Sequence, residues 1–266
     1  MQAAVSTACL YPAPTEEALY DLAVNGVQSA EIFLNTHSEL TKSFAHESAA
    51  ILRQFDMKCC AVHPFTSELE QLMFFSDYER RLSDSLDFYK HYFQFMNIVG
   101  AKIFVFHAAK AVRNTELFCE RYSRLYNTGR EFGISVAVEN VARCKSGSSA
   151  FIREISGLLG SDFAFVLDTK QAIRSGETPF AFLSAAGSSV RHVHISDSGE
   201  LGDCLLVGRG SFRFKQFFEI LAKNSPECSV VLEVYRSAFG GISELISSYG
   251  TLCSLTEKYG RRNEAE

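Results

Sequence analysis

The 266-residue sequence has no tryptophan, only 5 prolines and no CxxC pair among its 8 cysteines. The missing CxxC argues against a thiolate-held zinc or a disulfide-exchange motif. Cysteines 9, 59, 60, 119, 144, 204, 228 and 253 instead read as reduced thiols, several of them in or beside apolar segments of a cytoplasmic protein. No run of about 18 apolar residues appears, so no membrane span is expected. The opening, MQAAVSTACLYPAP, has neither a basic start nor a long apolar stretch, and is not read as a signal peptide. A basic surplus is also missing. There are 26 Lys and Arg against 31 Asp and Glu, a net charge of −5, which argues against nucleic acid as a partner. Nor is there a Pro- or Ser-rich linker or a low-complexity segment, so residues 1–266 are expected to form one domain.

What is present is a regular alternation. Apolar runs at 3–9, 29–33, 58–63, 102–107, 134–139, 163–168, 190–195 and 229–233 read as strands. Helical patterns lie near 15–25, 40–55, 76–98, 115–132, 148–159, 178–186, 213–224 and 242–258. Gly100 and Gly133 stand just past two of these helices, where a left-handed residue closes the last turn. Strand runs without charged alternation suit parallel strands covered by helices. Eight such units in 266 residues take about 33 residues each, the usual length of a βα repeat. A (β/α)8 barrel is the expected fold. The competing open sheet normally carries a Gly-rich phosphate turn after its first strand; here that turn reads LYPAPTEE.

The ends of the strands carry the chemistry. Six of the eight runs close on a metal-competent or acid/base side chain: His63, His107, Glu139, Asp168, His194 and Glu233. Their spacings of 44, 32, 29, 26 and 39 residues are each about one βα unit, so they recur on one rim, the C-terminal rim where barrels of this kind place their sites. In strand five, Glu139 shares its face with Ala137 and Ser135; in strand six, Asp168 shares its face with Val166 and Ala164. The smaller residues suit the crowded barrel interior, which directs both carboxylates into the mouth. Oxygen and imidazole donors without thiolate suit Mn²⁺, Mg²⁺, Co²⁺ or Zn²⁺.

Six short motifs support a family resemblance: VFHA at 105–108, VAVEN at 136–140, VLDT at 166–169, HVHISD at 192–197, VGRG at 207–210 and LEV at 232–234. In order and spacing the sequence resembles the xylose isomerase-like barrels, which include sugar and sugar-phosphate isomerases and epimerases and the endonuclease IV family. The resemblance implies that Glu139, Asp168, His194 and Glu233 bind one divalent metal and that Glu139 and Glu233 move protons. It also implies that His63 and His107 hold a second metal or touch substrate. Two positions depart from the endonuclease pattern: Gln171 and Leu205 stand where that pattern has histidines, while Asp203 is kept.

The expected activity is therefore a metal-dependent isomerase or epimerase of a small ketose, sugar phosphate or related polyol. Its partner would be a small carbohydrate, with a homo-oligomer as a further option. Gln171, Asp203 and Arg209 are the candidate substrate contacts. Alternatives are an endonuclease IV-like phosphodiesterase, a polyol dehydratase and a non-catalytic barrel with a degenerate site. Two peripheral residues receive structural readings: His192 as a packed interior histidine and His37 as a surface one. Glu31, inside strand two, is read either as buried near the site or as remote from it. Phe65, Phe74 and Phe75 are expected to wall the mouth. The loops at 64–76 and 196–212 are expected to set specificity.

Overall fold

Each apolar run forms a parallel strand, because both of its faces are buried, one against helices and one inside the barrel. The computed structural model describes residues 1–260. The barrel strands are β1 (Gln2–Ser6), β2 (Ser29–Phe33), β3 (Lys58–His63), β4 (Ile103–Phe106), β5 (Ser135–Glu139), β6 (Phe165–Asp168), β7 (Val190–Ile195) and β10 (Ser229–Leu232). They close in the order β1-β10-β7-β6-β5-β4-β3-β2. A short antiparallel hairpin, β8 (Asp197–Gly199) and β9 (Gly202–Leu205), follows β7.

The helices are α1 (Thr15–Val24), α2 (Lys42–Gln54), α3 (Glu70–Phe75), α4 (Glu79–Val99), α5 (Thr115–Glu131), α6 (Ser149–Leu159), α7 (Thr169–Arg174), α8 (Pro179–Ala186), α9 (Phe214–Asn224) and α10 (Ile242–Gly260). Local chemistry sets several of their ends. The side chains of Thr41, Asn114, Ser148 and Thr178 accept from backbone N–H groups of the first turns of α2, α5, α6 and α8. Gly100 closes α4 at φ 83°, a left-handed conformation that costs glycine little.

Two apolar clusters confirm the expected facing. Val105, Ala137, Ala164 and Val166 pack together on the faces that carry His107, Glu139 and Asp168. Phe104, Phe106, Val136, Val138, Phe165 and Leu167, on the opposite faces, belong to the larger cluster shared with the helices. Among the described residues no helix is long and apolar enough to cross a membrane. All eight cysteines are unbridged.

The differences from the sequence reading are local. β1 ends at Ser6 rather than at residue 9, because Thr7–Leu10 turns into a 3-10 helix whose Ala8 N–H donates to the Ser6 hydroxyl. The helix expected from 76 begins at Glu79. The six-residue helices α3 and α7 and the β8–β9 hairpin have no counterpart in the sequence reading. Elements of one or two turns are too short to show a period. Phe74 and Phe75 sit on α3 and pack against Phe106, so they belong to the core and do not wall the mouth.

Candidate metal centre in the barrel mouth

Asp168 ends β6 and caps α7. Its Oδ1 accepts from the Gln171 N–H at 2.8 Å, which leaves Oδ2 buried without a hydrogen bond. Asn140, the last residue of VAVEN, brackets the same strand end: Oδ1 accepts from Asp168 N at 2.6 Å and Nδ2 donates to Asp168 O at 2.9 Å. The β5 and β6 ends are thereby held in register.

His194 ends one face of β7 and is surrounded by carboxylates. Its Nδ1 lies 3.3 Å from Glu139 Oε1, 3.6 Å from Glu233 Oε2 and 3.9 Å from Asp168 Oδ2. Its Nε2 faces Glu31 Oε2 at 3.0 Å. With Nε2–H donated to Glu31, Nδ1 is left as the donor atom aimed at the three rim carboxylates. A carboxylate that fixes the far nitrogen of a ligating histidine is a common supporting device at metal sites. Burial lowers the His194 pKa, but Glu31, Glu233 and Glu139 outweigh it and hold the imidazole well above its ordinary value. A proton on Nδ1 then takes the place a cation would fill.

On the other side of the mouth, His107 Nε2 lies 2.9 Å from His63 Nε2 and 2.9 Å from Glu139 Oε2. At most one of two facing ring nitrogens can carry a proton. Glu139 Oε2 itself makes no well-aligned hydrogen bond, and neither does His107 Nδ1. The Glu139 carboxyl is raised by burial but driven well below the usual range by His107, His194 and His63. His107 follows the end of β4. The next residue, Ala108, has φ 65°, uncommon for a residue with a Cβ, and its N–H donates to the fully buried Glu70 at 2.7 Å. Burial pushes Glu70 up to about 8.

These donors fit a divalent cation. Glu139, Asp168 and His194 each offer one atom within 4.8 Å of the others, and so do His63, His107 and Glu139. Glu139 Oε2 and Asp168 Oδ2 are buried without a well-aligned hydrogen bond and are met only by His107 Nε2 at 2.9 Å and Lys170 Nζ at 3.3 Å, which leaves lone pairs for a cation. Glu233 reaches the mouth but not that cluster, because its Oε2 is bonded to Lys170 Nζ at 2.9 Å. Lys170 also lies 3.3 Å from Asp168 Oδ2. Burial raises the Asp168 carboxyl to about 7, with Glu139 and Glu233 adding to the rise and Lys170 offsetting part of it. Glu233 is lowered, Lys170 and His194 outweighing burial.

Below the rim, Glu31 is fully buried on β2. Its Oε2 meets His192 Nε2 and His194 Nε2, each at 3.0 Å, and its Oε1 accepts from Ser6 at 3.1 Å. Burial raises its pKa, but His194 and His192 hold it well below the usual range. His192 also pairs with Ser229 at 2.6 Å and is an interior histidine, as its sequence position suggests. Glu31 is thus next to the site, the first of its two sequence readings.

The mouth opens on a cavity of about 470 Å³ lined by His63, His107, Glu139, Asp168, Gln171 and Glu233, with Phe65 and Asn35 at its edge. A neighbouring, more apolar lobe of about 310 Å³ shares Phe33, Lys170 and Glu233 and adds Val234 and Tyr235. The loop at 64–76 contributes to the lining, whereas no residue of 196–212 does. Asp203 is instead gripped by Arg174 at 2.6 and 3.0 Å. Arg209 is exposed in a turn organised by Asp197, whose carboxylate accepts from the N–H groups of Ser198, Gly208, Gly210 and Phe212. A Cβ on Gly210 would meet Asp197 Oδ1 and Ser198 O at 2.5 Å, so the GRG sequence serves this close approach. His37 is exposed, as expected. Of the expected site residues, Glu139, Asp168, His194, Glu233, His63, His107 and Gln171 converge on the mouth, while Asp203 and Arg209 do not line it. The sequence reading missed Lys170: a lysine in the first turn of a helix carries no signal until the helix is placed against β10.

A family model described as a xylose isomerase-like TIM barrel matches residues 19–250. The chain belongs to the xylose isomerase-like TIM barrel family. Among solved structures it is similar to D-psicose 3-epimerase with D-tagatose from Clostridium cellulolyticum H10, at 14% identity over 97% of this chain and 99% of that one, with a TM-score of 0.77. It is also similar to the IolI protein with a bound zinc atom, at 16% identity over 97% and 99%, TM-score 0.77. A family 2 AP endonuclease from Brucella melitensis shares 15% identity over 92% and 96%, TM-score 0.71. At these identities the family members share a fold with this chain. No curated protein matches the sequence.

Proposed function

We propose that the chain is a divalent-metal-dependent isomerase or epimerase of a small ketose, sugar phosphate or related polyol. The observation that carries this reading is the convergence of Glu139, Asp168 and His194, with Glu233 beside them, on two buried carboxylate oxygens without a well-aligned hydrogen bond at the floor of a carbohydrate-sized cavity. Two structural relatives, a sugar epimerase and a zinc-bound barrel, support the substrate class and the metal. Glu139, Asp168, His194 and Glu233 would hold the ion, with His63 and His107 available beside Glu139. When bound, it supplies Lewis-acid polarisation of a carbonyl and a neighbouring hydroxyl, which lowers the cost of enolate charge.

The chain's own residues then divide the work. Glu139 and Glu233 end β5 and follow β10, strands separated by β6 and β7 around the barrel, so they approach a substrate from two sides. Both are held in the ionised form needed of a base. One takes the α-proton and the other returns a proton to the opposite face. Gln171 accepts the Ala142 N–H at 3.1 Å through Oε1, which leaves its NH₂ free to donate to a substrate oxygen. Phe33 and Phe65 give the same cavity an apolar wall.

The test is chelator-stripped protein incubated with a panel of ketoses in D₂O after Mn²⁺ or Co²⁺ is restored. Metal-dependent deuterium uptake into at least one ketose is expected, and its absence from all of them overturns the reading. A second reading, a phosphodiesterase of the endonuclease kind, is favoured by the His63–His107–Glu139 cluster. It is weakened by the Arg174 grip on Asp203. Nicking of abasic DNA would establish it in place of the first.

A further inference from the structure

Lys170 places a cation of the chain's own inside the mouth. It is the second residue of α7, directly behind the cap formed by Asp168, and is only 5% exposed. Its ammonium lies 2.9 Å from Glu233 Oε2 and 3.3 Å from Asp168 Oδ2, between two of the four groups assigned to the ion. Among the described residues lining the mouth and its side lobe it is the only lysine or arginine. The contrast with Glu139 is chemical. Glu139 is met by imidazoles, which can join a metal as ligands, whereas an ammonium has three donors and no lone pair and can only stand in the ion's place. Two positive centres held by the same buried carboxylates repel each other strongly, since little water screens them.

The ammonium also has a second contact away from the carboxylates. The Tyr235 ring centre lies 5.1 Å from Lys170 Nζ, on the side of the apolar lobe. Arg174 fixes that ring by stacking at 5.2 Å and donating to its hydroxyl at 2.6 Å. A flexible four-carbon stem lets the charge shift toward the aromatic face without moving the helix.

We propose that Lys170 is a built-in competitor of the divalent ion. It holds Asp168 and Glu233 together while the ion is absent and moves toward Tyr235 when the ion binds. This rests on the metal-dependent reading above. The test is calorimetric titration of chelator-stripped protein with Mn²⁺ and with Co²⁺, comparing wild type, Lys170→Met and Lys170→Arg. Methionine keeps the apolar stem and removes the charge; arginine keeps the charge. Lys170→Met is expected to bind with a Kd at least about tenfold lower than wild type, and Lys170→Arg no more tightly than wild type. Should Lys170→Met fail to fold, Lys170→Gln, whose amide can donate to Glu233, carries the same comparison. Equal or weaker binding by the neutral variant overturns the competition and leaves the metal site standing. No binding by folded wild type or by the folded neutral variant overturns the metal-dependent reading itself, and this proposal with it.

Discussion

The floor and the rim of the same barrel treat polar groups in opposite ways. On the floor, Ser6, Glu31, His192 and Ser229 form a closed network, tied to the rim through His194 Nε2, in which both Glu31 oxygens and both His192 nitrogens have partners. On the rim, at the ends of β4, β5 and β6, Glu139 Oε2, Asp168 Oδ2 and His107 Nδ1 are buried and make no well-aligned hydrogen bond, the two oxygens being met only by His107 Nε2 at 2.9 Å and Lys170 Nζ at 3.3 Å. A buried polar group left alone destabilises the fold, so a protein retains several together only where something else meets them. The floor therefore orients His194, and the rim is the part that the proposed function assigns to a ligand. The two should respond differently to substitution.

The largest effect is expected on the rim. Glu139→Gln or Glu233→Gln should lower kcat by about 10²- to 10⁴-fold, the span of a lost general acid or base. Some stability should also be lost, because buried cationic neighbours hold each carboxylate below its ordinary pKa, but the amide keeps the size and an accepting oxygen, so the loss should be smaller than on the floor. Turnover and thermal melting of each variant, measured together, check this. A rim variant that loses its fold along with its turnover would erase the distinction.

The floor should show the reverse. Glu31→Ala leaves two buried imidazoles without their carboxylate and should cost about 3–5 kcal/mol in urea unfolding, the span of a broken buried pair. A small loss there would mean that the floor does not hold the fold.

The smallest effect per step concerns Glu70, which lies behind the rim and anchors Ala108 and whose influence accumulates only with pH. Its folded pKa, about 8, is above its ordinary value because of burial, although His107, the Ala108 N–H and the Tyr89 hydroxyl pull it down. The folded state therefore binds the proton more tightly than the unfolded state. The contribution is fully present below the ordinary carboxylate range and is lost as pH rises through about 8. Between pH 5 and 8, wild type should lose stability relative to Glu70→Gln by at most about 1.4 kcal/mol for each pH unit. Urea midpoints of the two proteins across that range provide the check, and parallel curves would remove Glu70 from the account.

Much of this molecule is legible in one dimension. Strand and helix positions follow from period and length, and six strand-end side chains spaced by one βα unit must share a rim once the barrel closes. The inward direction of Glu139 and Asp168 is written in the small residues that share their faces, and the cluster of Val105, Ala137, Ala164 and Val166 bears it out. Other features depend on distances between residues far apart in the chain. Glu31, 163 residues from His194, joins the site because β2 and β7, separated by β1 and β10 in the closed barrel, both point side chains into its interior. Asp203 leaves it because Arg174, on a helix too short to announce itself, reaches the β9 strand first. Lys170 meets Glu233 across 63 residues of sequence. The sequence by itself determined the barrel, its polar rim and the donor types on that rim, because these follow from local periodicity repeated eight times. Only the tertiary structure decided which donors are saturated and which are free, and that a lysine stands among them, because hydrogen bonds and ion pairs act over a few ångströms between strands and helices that the order of residues does not place.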